Sequence, residues 1–591
     1  MNAGLRICEK LRPLSSRRIT GVMMLCVLCL LTGCGYGGHL GQPAAKSASD
    51  LNKQELTYLE PQFFNSLYPP SAGFYPNGAV INNICDRLLY QDPDTLELHP
   101  WIAKELPEVN EDATEYTFRL RPGVSYSDGT PVDAENVLRN IELYAKGDKS
   151  RHLTSSEQIS NYRGGEVIDP LTVKFHFSAP APGFAQATSS YNAGLVANST
   201  LDGSDTDFAP GSATKVIGSG PFVISEEDLG SRLVLTARKD YRWAPSVLAH
   251  QGPAYLEKIN YILASEQSVR IGGLVAGQAD IARQIEAPEE KHLKDSGLEI
   301  LAHGTNGVTN QLAFRFRHPL LQDIRVRQAL MHGIDREEII HTLYSDSYPL
   351  ATSSLATTAS GYKAQPADAF AYDPELSSAL LNQAGWEPGP DGIRQRDGRR
   401  LSFTVNEALP QPRSKELITK AQEHLRRIGV ELKLNPGDQT TQNADSKDLG
   451  KIEIRHTMVG RADNDVIKSQ YGTAERNTFL NKASDVDAID PHTGLNPAEV
   501  APPDQHLQDL LEKVTATVDP SQRNQISGEI QDYLTSQAYV LPLFEEPVVY
   551  GYQPYVHGFH AEAIGRPSFY DVWLGAPDET QPPANTTKEN S

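Results

Sequence analysis

Stretches that alternate apolar and polar residues in steps of two interleave along this chain with stretches that repeat every three or four residues. That interleaving constrains the fold more than any other feature of the sequence. "EYTFRLRPGVSYSDG" places Tyr116, Phe118 and Leu120 on one face of a strand, and "LTVKFHFSAP" and "RLVLTARKDY" alternate in the same way. "PVDAENVLRNIELYA" has helical spacing, with Asp133 positioned as its N-cap. "DIRVRQALMHGIDREEIIHTLY" gathers Ile324, Val326, Ala329 and Leu330, then Ile334, Ile339, Ile340 and Leu343, with Gly333 marking a break between two helices. "SKELITKAQEHLRRIGVELKL" predicts a helix entered at Ser414, closed near Gly429 and followed by a strand. No internal repeat is evident. Strands and helices mixed in this way predict an α/β architecture with mixed sheets.

At 591 residues the chain exceeds what one hydrophobic core serves and predicts two or three domains. Its start reads as an address rather than as structure. Arg6, Lys10, Arg12, Arg17 and Arg18 precede an uncharged, mostly apolar run from Ile19 to Leu31 and small residues around Cys34. This is the pattern of a bacterial secretory signal. The run is shorter than the roughly 20 apolar residues of a spanning helix. Cys26 and Cys29 spell C-x-x-C inside the segment to be removed, without the context a redox or zinc motif needs. "GYGGHLGQPAAKSASD" then reads as a flexible tether, and "PDETQPPANTTKENS" as a disordered tail.

Net charge narrows the partners. The whole chain carries −21, and loss of residues 1–33 would remove five basic residues and one acid, leaving it more acidic still. A chain so acidic repels nucleic acid, and no basic patch interleaves with aromatics. Beside Cys34 only Cys85 remains, so no internal disulfide framework is possible; Cys85, in "INNICDRLLY", reads as a small hydrophobe on an apolar helix face.

Several segments, in order, resemble the family-5 extracellular solute-binding proteins, the dipeptide, oligopeptide and nickel receptors of ABC importers. They are "NNICDRLLYQDPDTLELHPWIAKELPEVNEDATEYTFRLRPGVSYSDGTPVDAENV" (82–137), "GSGPF" (218–222), "ARKDYRW" (237–243) and "HPLLQDIRVRQALMHGIDREEII" (318–340). "AYDPELSSALLNQAGW" (371–386) and "LRRIGVELKL" (425–434) complete the series. "LTGC", Leu31 to Cys34, likewise resembles a lipoprotein lipobox, which implies cleavage before Cys34 and lipid on that cysteine. Gly35 after the anchor, with no aspartate there, suits sorting to an outer membrane in a host that has one. The resemblance implies a two-lobed periplasmic-binding-protein fold with mixed sheets, a discontinuous first lobe with an extra subdomain, and a cleft that closes about a hinge. The expected boundaries are a signal peptide at 1–33 and a tether at 34–54. Lobe I is expected from 55–89, 213–315 and 541–575, its subdomain from 90–212, lobe II from 316–540, and the tail at 576–591.

Most of the matching motifs have a structural explanation. In "SDGTP", Ser127, Asp128 and Gly129 make a turn, and in "RVRQA" the arginines meet acids or carbonyls while Val326 and Ala329 pack inward. Trp101, Trp243, Trp386 and Trp573 fall in or beside scaffold segments. For the ligand, the resemblance implies that Asp463, in "RHTMVGRADND", stands where peptide receptors of the family hold an α-ammonium. Gly460 replaces the family's tryptophan three residues earlier, and Arg461 brings a cation into the same loop, so Asp463 paired with Arg461 is the alternative role. "SLYPP" puts Tyr68 where the family has an acid. Phe74 and Tyr75 follow it, and Tyr362, Asn406 and Glu407 come from the lobe II counterparts. No metal-ligand set is evident, since His557 and His560 have no Cys or HExxH partner nearby.

The function implied is a non-catalytic receptor, secreted, lipid-anchored at Cys34 and monomeric, that needs no cofactor. It would capture a peptide or other small solute and deliver it to the permease and ATPase of an ABC importer. A receptor for a metal chelate, siderophore or opine is a variant of the same reading. A secreted hydrolase is the rival from another class, though no G-x-S-x-G elbow, HExxH or phosphate loop is present. A signalling or chaperone-like protein on the same fold is the third reading.

Overall fold

The computed structural model describes residues 46–583 other than Pro410 and Arg476. The expected secretion signal, Cys34 and most of the expected tether therefore lie outside the described residues, as do residues 584–591 of the expected tail. Two mixed sheets organise what is described. The larger has seven strands in the order Glu299–Gly304, Pro547–Tyr552, Ile281–Arg283, Glu55–Glu60, Lys258–Leu263, Arg232–Ala237 and Phe222–Asp228. Glu55–Glu60 runs parallel to both of its neighbours, and the remaining pairings are antiparallel. The second has five strands, Glu431–Asn435, Ser402–Asn406, Ile454–Gly460, Gly307–Phe314 and Val540–Phe544, again with parallel and antiparallel pairs. A four-stranded antiparallel sheet contains Glu115–Arg119 and Thr172–Phe177 at its centre.

The sequence periodicities account for these elements. Tyr116, Phe118 and Leu120 are all buried, packed with Phe175 and Phe177 of the neighbouring strand and Phe184 above them. Asp133 caps the helix Ala134–Lys146 by accepting from Asn136 N. Helices Ile324–His332 and Arg336–Leu343 flank Gly333, and Ser414–Arg427 precedes the strand Glu431–Asn435 across Gly429, which adopts φ +82°. Arg325 pairs with Asp323, and Arg327 donates to the carbonyls of Leu321, Gln322 and Gln537 while Val326 and Ala329 are buried. All four tryptophans are at most 6% exposed. Cys85 is buried too, at the C-cap of helix Tyr75–Ile84 rather than on its face.

The central strand Gly307–Phe314 is buried along its whole length because it separates two cores. Leu312 and Phe314 face a core shared with helices Ile324–His332 and Ser414–Arg427, while Val308 and Ala313 face one built with helices Gln505–Ala516 and Pro520–Ser536. Period-two alternation turns Ala313 away from Leu312 and Phe314, and the register shift between Val308 and Gln311 brings Val308 to the same face as Ala313.

The chain passes from the seven-stranded to the five-stranded sheet at Thr305–Asn306 and returns at Glu545–Glu546. Thr305 N donates to Glu546 O at 2.9 Å, so the two crossings are bonded to each other. The strands Gly307–Phe314 and Val540–Phe544 thus belong to the five-stranded sheet, whereas the boundaries read from sequence, 315/316 and 540/541, assign them to the other lobe. A continuous apolar run such as "YVLPLF" carries no mark of the sheet it joins. The tether also ends earlier than residue 54. Lys46 reaches Asp280 at 2.7 Å, Leu51 is buried, and Gln54 bonds to the carbonyl of Leu574 at 2.7 Å. Of the expected tail, residues 576–583 carry neither helix nor strand.

Candidate functional site

A series of buried polar groups starts at the second crossing. There the Glu546 carboxylate accepts from Asn310 Nδ2 at 2.8 Å. Asn310 Oδ1 lies 2.7 Å from His456 Nε2, and His456 Nδ1 lies 2.8 Å from Ser414 Oγ, which accepts from Ala408 N at 2.9 Å. The acid fixes the direction of the whole series. With the Asn310 NH₂ turned to Glu546, its oxygen faces His456 and requires a proton on Nε2, leaving Nδ1 to accept from Ser414. Burial pushes the Glu546 carboxyl up to about 8, with the Asn310 bond opposing the shift, and pushes the His456 imidazole down to about 3.

On the first lobe, Tyr75 opens the helix Tyr75–Ile84 and its ring is covered by two guanidiniums, Arg283 at 3.8 Å and Arg566 at 4.3 Å. Its hydroxyl bonds to the Tyr550 hydroxyl and donates to Gly565 O at 2.8 Å. Arg283 is anchored by Glu60, with Nε 2.9 Å from Oε1. Phe74, immediately before, is 38% exposed.

The lobes also touch at two other places. At one, Glu157 accepts from Arg461 Nη2 and from Ser469 Oγ, each at 3.2 Å. At the other, the two oxygens of Glu290 accept from Ser345 at 2.6 Å and Ser347 at 2.7 Å. At each, a carboxylate of the first lobe accepts from two donors of the second.

Asp463 is committed within its own lobe. It holds Arg523 through two bonds, 2.7 Å and 3.1 Å, and a Cβ placed on Gly183 would come within 3.1 Å of it. Its partner is Arg523, not Arg461, which bonds instead to Glu157 and to Asp465 at 3.1 Å. Burial pushes the Asp465 carboxyl up to about 6 against the pull of Arg461. The carboxylate expected to face an ammonium thus has its charge matched by a protein cation. Asn406 is buried and bonds to the main chain of His456 at 3.1 Å and 3.4 Å. Tyr362 bonds to Thr352 Oγ1 at 2.6 Å, and Glu407 is half-buried. Tyr68 is turned into the protein, donating to Leu143 O and Thr154 O.

Sequence reasoning missed Arg523, Glu157, Glu290 and Glu546, each distant in sequence from its partners. The only signal was indirect: a glutamate pair, "FEEP", interrupts an otherwise apolar strand region.

The Ser414–His456–Asn310 series has the order of an acyl-transfer triad, but the chemistry does not follow. Ser414 is 3% exposed, its oxygen already receives a backbone N–H, and an imidazole held near 3 is a poor base at neutral pH. The arrangement holds a wall in place.

Comparison with known proteins agrees with a binding role. Residues 97–472 match the family described as bacterial extracellular solute-binding proteins, family 5 Middle. The chain is 24% identical to the oligopeptide-binding protein AppA of Bacillus subtilis (strain 168) over 71% of this chain and 76% of that one. It is 23% identical to the glutathione-binding protein GsiB of Salmonella paratyphi A over 84% and 90%. The crystal structure of NikA from Brucella suis in complex with Fe(III)-EDTA superposes with a TM-score of 0.73 at 22% identity, covering 88% of this chain and all of NikA. The fold is thus that of the two-lobed periplasmic binding proteins, and the chain belongs to the bacterial extracellular solute-binding proteins of family 5.

Proposed function

We propose that the protein captures a peptide or peptide-like solute between its two lobes and delivers it to an ABC import permease, held at a membrane by lipid on Cys34 and working as a monomer. The observation that carries the reading is the family match over residues 97–472, on a chain that passes between its two sheets at the paired crossings Thr305–Asn306 and Glu545–Glu546. Two adjacent crossings leave the lobes free to hinge, and burial between closing lobes is how such clefts hold ligands. The peptide class is supported by relatives named for oligopeptide and glutathione binding and by the likeness to AppA in complex with a nonapeptide. A metal chelate is the second reading, supported by the likeness to NikA with Fe(III)-EDTA. Of the expected ligand set, Phe74, Tyr75, Tyr362 and Glu407 are the candidates for contact, while Asp463, Arg461 and Asn406 hold the walls.

The test is a thermal-shift and calorimetric screen of the purified protein against di- to nonapeptides, glutathione and Fe(III)-EDTA. A cargo at a hundredfold excess over its Kd stabilises by about 2.7 kcal/mol. Stabilisation by Fe(III)-EDTA alone would replace the peptide reading with the chelate one, and hydrolysis of a peptide would overturn the receptor reading. Cys34→Ser should move the protein from the membrane fraction to the soluble one, and light scattering should give the monomer mass.

A further inference from the structure

Most acids at the lobe–lobe junction are matched by a cation: Glu60 by Arg283, Glu157 by Arg461, Asp463 by Arg523 and Glu562 by Arg87. Glu290 and Glu545 are matched by neutral donors, the serines above and the N–H and hydroxyl of Thr357. Glu546 differs. It is 8% exposed, it sits at the second crossing, and among the described residues no Lys, Arg or His pairs with it. One oxygen takes the Asn310 amide. With the Gln411 amide turned so that its nitrogen faces the acid, that nitrogen lies 2.9 Å from both oxygens.

A donor placed symmetrically before both oxygens of a carboxylate occupies the seat of a cation, since ammonium and guanidinium groups make their strongest hydrogen bonds there. Here the occupant is a neutral amide on a partly exposed side chain of the segment between the strand Ser402–Asn406 and the helix Ser414–Arg427. Behind it the carboxylate cannot swing away, because Asn310, His456 and Ser414 hold it in series. The site is held at the back and closed by one neutral side chain at the front; with no cation beside it the buried acid keeps its proton near neutral pH, and an arriving cation would favour the ionised form and release that proton.

We propose that Gln411 is a displaceable stand-in and that Glu546 is the seat for a cationic group of the cargo, an ammonium or guanidinium that bonds to both carboxylate oxygens when the Gln411 side chain swings aside. This rests on the binding-protein reading and names the chemical class that the site selects. The surroundings favour it. Of the ionisable groups on neighbouring elements, Tyr344 and Tyr348 lie within electrostatic reach of Glu546, and Glu286, Glu290, Glu416 and Arg413 act on those tyrosines rather than on the acid itself. Among the described residues no cation acts on Glu546, so an arriving positive charge meets no repulsion there.

Matched probes test the seat: tri-alanine and N-acetyl-tri-alanine, Ala-Lys-Ala and Ala-norleucine-Ala with blocked termini, and the non-peptide cations spermidine and agmatine. Each is titrated calorimetrically into wild type, Glu546→Gln and Gln411→Ala, with circular dichroism confirming the fold of each variant. The expected result is at least tenfold tighter binding of a cationic probe than of its uncharged match in wild type. Glu546→Gln should abolish the discrimination, and Gln411→Ala should keep or increase it. Discrimination that survives Glu546→Gln overturns the proposal, as does the absence of any preferred cation, with or without binding of uncharged probes. Equal binding of charged and uncharged peptides would leave the peptide reading standing without the seat. Preference for spermidine or agmatine, lost in Glu546→Gln and with no peptide bound, would leave the seat standing without the peptide reading.

Discussion

The Asp463 carboxylate and the Arg523 guanidinium face each other through two bonds, 2.7 Å and 3.1 Å, each side chain 9% exposed, inside the second lobe. Asp463 follows the strand Ile454–Gly460, and Arg523 lies in the first turns of helix Pro520–Ser536, so the pair ties sheet to helix. Removing one partner strands the other charge in a dry environment. Asp463→Asn is therefore expected to destabilise the fold by about 3–5 kcal/mol, and the double change Asp463→Asn with Arg523→Gln by much less. Urea unfolding of the three variants measures this. A stable Asp463→Asn protein that loses affinity for an amine-bearing ligand would return the residue to the binding site.

The Arg461–Glu157 contact crosses the cleft, so its loss should act on closure rather than on folding. Arg461→Gln or Glu157→Gln should lower the closed-to-open ratio of the free protein twofold to fivefold, about 0.5–1 kcal/mol. Small-angle scattering should show a larger radius of gyration while the unfolding midpoint changes little. An unchanged radius with a lower midpoint would make the contact purely structural.

Two buried acids and two buried histidines set opposite arms of the stability profile. Burial raises Glu453 to about 7 and Glu546 to about 8. Above the ordinary carboxylate pKa the unfolded chain has released these protons while the fold retains them, so stability falls as pH rises from about 4.5 to 8. Burial lowers His456 to about 3 and His318 to about 4, so the unfolded chain binds protons first and stability also falls as pH drops below about 6.5. Glu546→Gln should raise the melting temperature at pH 8 more than at pH 5; the same shift at both would contradict the assignment.

Gly307 opens the central strand directly after the first crossing, with φ +120°, and a Cβ there would meet Val459 O at 2.4 Å. Gly307→Ala combines backbone strain with a clash against main chain that cannot yield, an expected loss of about 1–3 kcal/mol in equilibrium unfolding. Gly73→Ala is the control: a Cβ there meets nothing within 4 Å, and the change should be close to neutral.

Local order was legible in the chain. The alternation at Tyr116, Phe118 and Leu120, the cap at Asp133, the break at Gly333 and the helix from Ser414 all arise from interactions between neighbours in sequence, and they stand in the structure as read. The ordered motifs carried the family for the same reason, since they encode turns and packing faces rather than a ligand. What the sequence could not supply was partnership across distance. Whether "YVLPLF" belongs to one lobe or the other depends on which strand offers its hydrogen bonds. Whether Asp463 is free for a ligand depends on Arg523, sixty residues away on another element. Whether Glu546 is matched by a cation depends on which side chains the fold brings to it, and among the described residues none of them is Lys, Arg or His. Short-range propensity and periodicity determined the elements; the tertiary structure decided the site, because burial and charge pairing exist only once distant segments are packed together.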